Sequence, residues 1–191
     1  MNSTDVILLD GGTGTELRER GVEVACHRES IWSAQALIEA PDEVVAVHRE
    51  YIDAGAQVVT ACNYAVTPAL LAREGMGHRV EELSLLALDL AERARDESGQ
   101  EVRIAASVPP LDTSYRADLV VAEDELRRDY SRLVETLAPR ADLLLCETLS
   151  LGREAVVAGQ LKIGGRKKAE LVLQLQENGY AAFEPPAKKK A

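Results

Sequence analysis

A chain of 191 residues is long enough for one domain with a substantial core and too short for two comfortable ones. Hydrophobic residues at 46% and charged residues at 28% suit a soluble globular protein, while the net charge of −10 argues against nucleic acid or an anionic membrane as the main partner. No apolar run approaches the roughly 20 residues that span a bilayer, and the opening MNSTDVILLD does not have the basic-then-apolar order of a signal peptide. Cys26, Cys62 and Cys146 are odd in number and lack CxxC spacing, so free thiols in a reducing cytoplasm are expected rather than a disulfide framework. Aromatics are only 4%, so the core must be built from Leu, Val, Ile and Ala.

Short β-branched or Leu-rich runs alternate with longer stretches of helical period, the pattern of βα units on a parallel sheet. The first candidate strand, Val6 to Leu9, ends in Asp10-Gly11-Gly12. After a loop, Pro41 to Ala54 is predicted helical, with Val44, Val47, Tyr51 and Ala54 on one face and Gly55 closing it. Gln57 to Cys62 is the second strand, and Val80 to Arg95 an amphipathic helix carrying Leu83, Leu86, Leu90 and Ala94 on one side. Val102 to Ser107 is the third strand, stopped by Pro109-Pro110. Asp124 to Leu137 is the next helix, Asp142 to Cys146 the fourth strand, Arg153 to Leu161 a further helix, and Leu171 to Leu175 a candidate fifth strand.

The strand tips read DGG, TACNY, SVPP and CET. In parallel β/α folds chemistry gathers at the carboxyl ends of strands, where the βα loops converge. Periodicity alone also allows a Rossmann-like open sheet, but DGGTGTE is not GxGxxG and gives no dinucleotide fingerprint.

Composition divides the chain near residue 161. Up to there every basic residue other than histidine is arginine; six lysines then crowd into 162–191. That segment carries seven Lys and Arg against three Asp and Glu, a net of +4, which leaves the front at −14. The expected organisation is therefore 1–161 as the folded unit and 162–191 as an atypical Lys-rich tail with the fifth strand in it, either a solvated basic tail or a foreign, frameshifted or designed segment.

LLDGGTGTELRERG, then IWSAQAL with PDEVVAVHREYIDAGAQVVTACNY, then AASVPPL and ADLLLCET resemble, in order and spacing from about Asp5 to about Ala158, the homocysteine S-methyltransferase family. The resemblance implies a (β/α)8 TIM-type barrel, of which this chain would form a partial one of four to five βα units. It implies methyl transfer to the thiol of homocysteine, a small amino-acid substrate, from a sulfonium, ammonium or folate donor.

It also implies that Asp10, with the Gly11-Gly12 backbone, meets the substrate amino acid, and that Glu147 contacts its amino group. Tyr64 would lie near the transferring methyl group, and Trp32 would help close the site. The residues allow plainer roles: a turn for Asp10-Gly11-Gly12, an ion pair with Arg140 or Arg153 for Glu147, wall packing for Tyr64 and a cover of the barrel mouth for Trp32. Ser107 and Pro109 are expected to serve a turn, Cys62 to be a small tip residue and Cys146 inert core. His48, beside Arg49 and Glu50, is expected on the wet side of its helix.

The family holds zinc through cysteines after a later strand and in a Gly-Gly-Cys-Cys run, and this sequence contains neither. No cofactor is therefore assigned to this chain, and the expected form is a truncated, inactive relative of the enzymes. The alternative is a non-catalytic truncated or engineered half-barrel fragment that self-associates, since half a barrel exposes two sheet edges through which copies could pair.

Overall fold

A computed structural model describes residues 7–24, 31 and 33–161, and the backbone of 170–173. Val6, Cys26, His27, Trp32 and most of the Lys-rich tail lie outside the described residues.

Seven helices and four strands alternate in the described residues: α1 (Thr13–Glu19), α2 (Ala34–Glu39), α3 (Pro41–Asp53), β1 (Val58–Thr60), α4 (Pro68–Ala72), α5 (Val80–Ser98), β2 (Arg103–Val108), α6 (Glu123–Leu137), β3 (Leu143–Cys146), α7 (Gly152–Gly159) and β4 (Glu170–Leu173). The long helices fall where apolar periodicity places them. Pro41 opens α3 at a position where its missing N–H costs nothing. Gly99 ends α5 in the left-handed conformation, φ 66°, which glycine adopts without strain. Of the first expected strand, the described residues form a single parallel bridge, Leu9 to Val58, with the Gln57 and Asp10 amides bonded to the Leu8 and Val58 carbonyls.

The sheet runs β1-β2-β3-β4, every pair parallel, with Thr60 opposite Ala105 and Ala105 opposite Leu143. With Leu9 outside β1, spatial order follows chain order and nowhere reverses. A doubly wound sheet reverses at its ligand crevice; a barrel does not. The architecture is a partial, unclosed (β/α) barrel, and the Rossmann alternative is excluded.

Side chains alternate across the sheet with period two. Val59, Ile104, Ala106, Val108, Leu144 and Cys146 point outward into the main core beneath the helices. α5 contributes Leu83, Ala87, Leu88 and Ala91 to that core, and α6 contributes Leu126, Tyr130, Leu133 and Leu137. A fully buried leucine stabilises by about 1.5–3 kcal/mol, so these faces fix the helices on the sheet. Val58, Ala105, Leu143 and Leu145 form a separate small cluster on the other face, the barrel interior. The same parity sends Thr60, Ser107 and Glu147 inward at the carboxyl end.

Candidate functional site

A cleft of about 640 Å³ opens at that end. Its walls come from the Leu9–Thr15 segment, the tip of β1, Ser114 and Tyr115 after β2, and Leu145, Glu147 and Thr148 around the end of β3. Four of the strand-tip segments thus converge, as a barrel dictates.

Asp10 is fixed by β1. Its Oδ2 accepts from the Thr60 amide at 2.7 Å and its Oδ1 from the Thr60 hydroxyl at 3.1 Å. Burial nevertheless pushes its carboxyl up to about 6, and the nearby Glu147 adds to the rise. Glu147 accepts from the Ser107 hydroxyl at 2.5 Å, and burial raises it as well. Neither carboxylate is paired with a cation among the described residues. Arg140 pairs instead with Asp89 and Glu92, and Arg153 donates to the Val120 carbonyl. The structural ion pair that the sequence allowed for Glu147 is therefore not formed.

Tyr64 lines the same cleft, its hydroxyl 2.5 Å from the Ser114 hydroxyl and bonded also to Thr148. Thr148 and Tyr115 are the non-glycine residues with positive φ among those described, at 54° and 62°. A β-branched residue in that region is strained, and such strain collects where surroundings over-determine a site. Gly11 and Gly12 lie on the cleft wall. A Cβ on Gly11 would stand 2.8 Å from the Tyr51 hydroxyl oxygen, so close approach of that ring is what requires glycine. Of the six expected site residues, Asp10, Gly11, Gly12, Tyr64 and Glu147 meet on one cleft, and Trp32 lies outside the described residues.

Several participants were not legible as such. Ser107 sits in β2 and binds Glu147 rather than serving a turn. Asn63, fully buried, donates to the Ser107 carbonyl at 2.8 Å and accepts from the Ser107 amide at 2.9 Å, stitching the tips of β1 and β2. Thr60, Ser114, Thr148 and Tyr51 complete the surroundings. Inward parity (105, 107; 143, 145, 147) was the available signal for Ser107 and Glu147.

His48 is a correction. It is not on the wet side of α3 but fully buried, with both ring nitrogens unpartnered, and burial lowers its pKa to about 4.

The two described thiols are suppressed. Cys62 donates to the Ser33 carbonyl and burial pushes it up to about 11; Cys146 is also raised to about 11. Among the described residues no group of three or more His, Cys, Asp or Glu gathers in a way that could hold a metal ion. These residues do not fit zinc. No helix of the described residues is long and apolar enough to cross a membrane.

The family model for homocysteine S-methyltransferase matches residues 7–177. A homocysteine S-methyltransferase of Escherichia coli is 34% identical over 163 residues, 78% of this chain and 52% of that protein. The homocysteine S-methyltransferase YbgG of Bacillus subtilis is 32% identical over 172 residues, 81% of this chain and 54% of that protein. The crystal structure of the metallated homocysteine methyltransferase MmuM from Escherichia coli superposes with a TM-score of 0.74 at 33% identity, covering 84% of this chain and 59% of that one. The chain spans about half the length of the curated relatives it matches.

Proposed function

Because this chain belongs to the homocysteine S-methyltransferase family, we propose that its cleft recognises homocysteine by the α-ammonium, held between Asp10 and Glu147. The observation that carries this reading is the pair itself: two carboxylates on one cleft, each oriented by hydroxyls or an amide and neither neutralised by a protein cation. A ligand ammonium supplies the missing charge, and charge-assisted hydrogen bonds are roughly twice as strong as neutral ones. The Gly11-Gly12 backbone, bare of side chains, would face the amino-acid carboxylate. Tyr64, held by Ser114 and Thr148, would border the sulfur and the arriving methyl group.

Methyl transfer to the homocysteine thiol from a sulfonium, ammonium or folate donor is the reaction proposed for the complete site. A free thiol of pKa about 8.5 is only slightly ionised at neutral pH and needs an activator. Among the described residues no cluster could hold an activating metal ion, which supports binding without turnover by this chain alone. The free thiols support a reducing, cytoplasmic setting.

Isothermal titration of the purified chain with L-homocysteine tests the recognition. Saturable binding is expected, lost when the α-amino group is acetylated. Equal binding of the acetylated compound would defeat the carboxylate clamp. Turnover by this chain alone, abolished by a chelator, would defeat the reading of binding without catalysis.

A further inference from the structure

Glu154 on α7 is 1% exposed and far from passive. Its Oε2 accepts from the Ser150 amide at 2.8 Å, and the Leu151 and Leu111 amides bond to the same carboxyl. Its Oε1 lies 3.0 Å from the phenol oxygen of Tyr130, and that oxygen lies 2.9 Å from the Pro109 carbonyl oxygen. A phenol carries one proton, and a carbonyl can only accept. If Glu154 were ionised, the single proton would serve one acceptor and leave the other facing a lone pair in a buried site, where an unmade bond is expensive. A proton on Oε1 resolves the count: Glu154 donates to Tyr130, and Tyr130 donates to Pro109.

We infer that Glu154 is held as a neutral carboxylic acid, and that the Glu154–Tyr130–Pro109 chain positions the loops after β2 and β3 around the cleft. Burial raises this carboxyl above its ordinary value and outweighs the hydrogen bonds from Ser150, Tyr130, Leu151 and Leu111, which pull it down. Burial likewise raises the Tyr130 phenol, which keeps its proton. Neither residue lines the cleft, so both act through the loops. One loop carries Glu147 and the strained Thr148, two residues before the Ser150 amide that Glu154 holds; the other runs from Pro109 to Ser114 and Tyr115.

A second cavity of about 310 Å³, lined in part by Leu111, Thr113, Ser150 and Glu154, shares no residue with the cleft. These loops are therefore partitions between two cavities. The hydrogen-bonded chain ties the two loops to each other.

Infrared difference spectroscopy of the whole chain, wild type against Glu154→Gln, tests the proton. The C=O stretch of a protonated carboxyl, shifting in D2O, is expected in the wild type at neutral pH and absent from the variant. No such band overturns the inference. Tyr130→Phe removes the acceptor of that proton and should shift the band; an unmoved band overturns the chain.

The positioning role rests on the proposed homocysteine reading and is tested by affinity for homocysteine. Glu154→Gln can donate to Tyr130 and accept from Ser150, so it should bind within about twofold of wild type, whereas Glu154→Leu should weaken binding about tenfold or more. Equal losses in both variants overturn the positioning role. A wild type that binds no homocysteine defeats the cleft reading alone, since the infrared band still decides the proton.

Discussion

Asp10 and Glu147 come from segments 137 residues apart in sequence and face one cleft, where the charge of Glu147 helps raise Asp10 to about 6. Holding two unneutralised carboxylates together opposes folding and favours an incoming cation. Function and stability should therefore respond oppositely to changes at this pair.

Asp10→Asn tests that opposition. An acid whose folded pKa is raised from 3.8 to about 6 contributes most to stability below 3.8. The contribution falls as pH rises through that window, leaving a cost of about 3 kcal/mol at neutral pH. Asparagine removes the charge, and it can still accept from the Thr60 amide and donate to the Thr60 hydroxyl oxygen, so a net gain of about 1 kcal/mol or more is expected by urea denaturation at pH 7. Homocysteine affinity should fall by about 100-fold in the same variant, and similarly in Glu147→Gln. In the wild type, affinity should strengthen as pH rises through about 6, when Asp10 ionises. An Asp10→Asn protein that is both less stable and still binds would show Asp10 to be structural.

The His48 imidazole gives a second pH signature. Its folded pKa of about 4 lies below the ordinary 6.5, so its stability contribution is complete above 6.5 and is lost as pH falls toward 4. The carboxylates oppose this trend over part of the range, so the comparison must be with His48→Leu. The variant should gain on the wild type by about 3 kcal/mol between pH 7 and pH 4, read from denaturant midpoints at each pH. A constant difference would mean that the ring is not sealed from protons.

How far the fold was legible follows from where periodicity was strong. α3, α5, α6 and the β2 and β3 strands carry their apolar residues at regular spacing over whole elements, and the structure places them within a few residues of expectation. α1, α2 and α4 were missed because TGTELRE follows a glycine N-cap, AQALIE also lacks a side-chain cap, and PALLA is little more than one turn long. His48 was misread by its sequence neighbours. Arg49 and Glu50 made the region look wet, yet 44, 48 and 52 fall at four-residue spacing on the face that buries Val44 and Ile52. Asp10 and Glu147 were visible as strand-tip residues. Thr60, Asn63, Ser107 and Tyr51 were not, because their partners lie some 40 to 50 residues away and only topology brings them together.

The Asn63 clamp should be costly to break. Its amide spends both a donor and an acceptor on the backbone of Ser107, and each bond contributes about 1 kcal/mol, more when its loss leaves a buried partner unserved. Asn63→Leu should destabilise by about 3 kcal/mol. Asn63→Asp should be similar, because a carboxylate cannot donate to the Ser107 carbonyl. Serine 107 also holds Glu147, so homocysteine affinity should drop in any variant that still folds. Destabilisation under about 1 kcal/mol would mean that water replaces the amide.

The contact between Gly11 and Tyr51 separates a steric requirement from a conformational one. Gly11 is not among the positive-φ glycines, so alanine there is excluded by space alone. Its Cβ would sit 2.8 to 3.0 Å from three atoms at the tip of the Tyr51 side chain, so something must shift. Either the ring swings away from the cleft wall or the loop that carries Asp10 lifts. Gly11→Ala alone should therefore destabilise by about 1–3 kcal/mol and weaken homocysteine binding. Tyr51→Ala alone removes a half-buried ring and costs stability of its own, while opening the space that the new methyl needs. In the double variant the Gly11→Ala penalty should largely vanish, giving a coupling of about 1 kcal/mol or more in a denaturation cycle. Additive losses would place the strain elsewhere, in the backbone entering α1, and the affinity loss would then persist in the double variant.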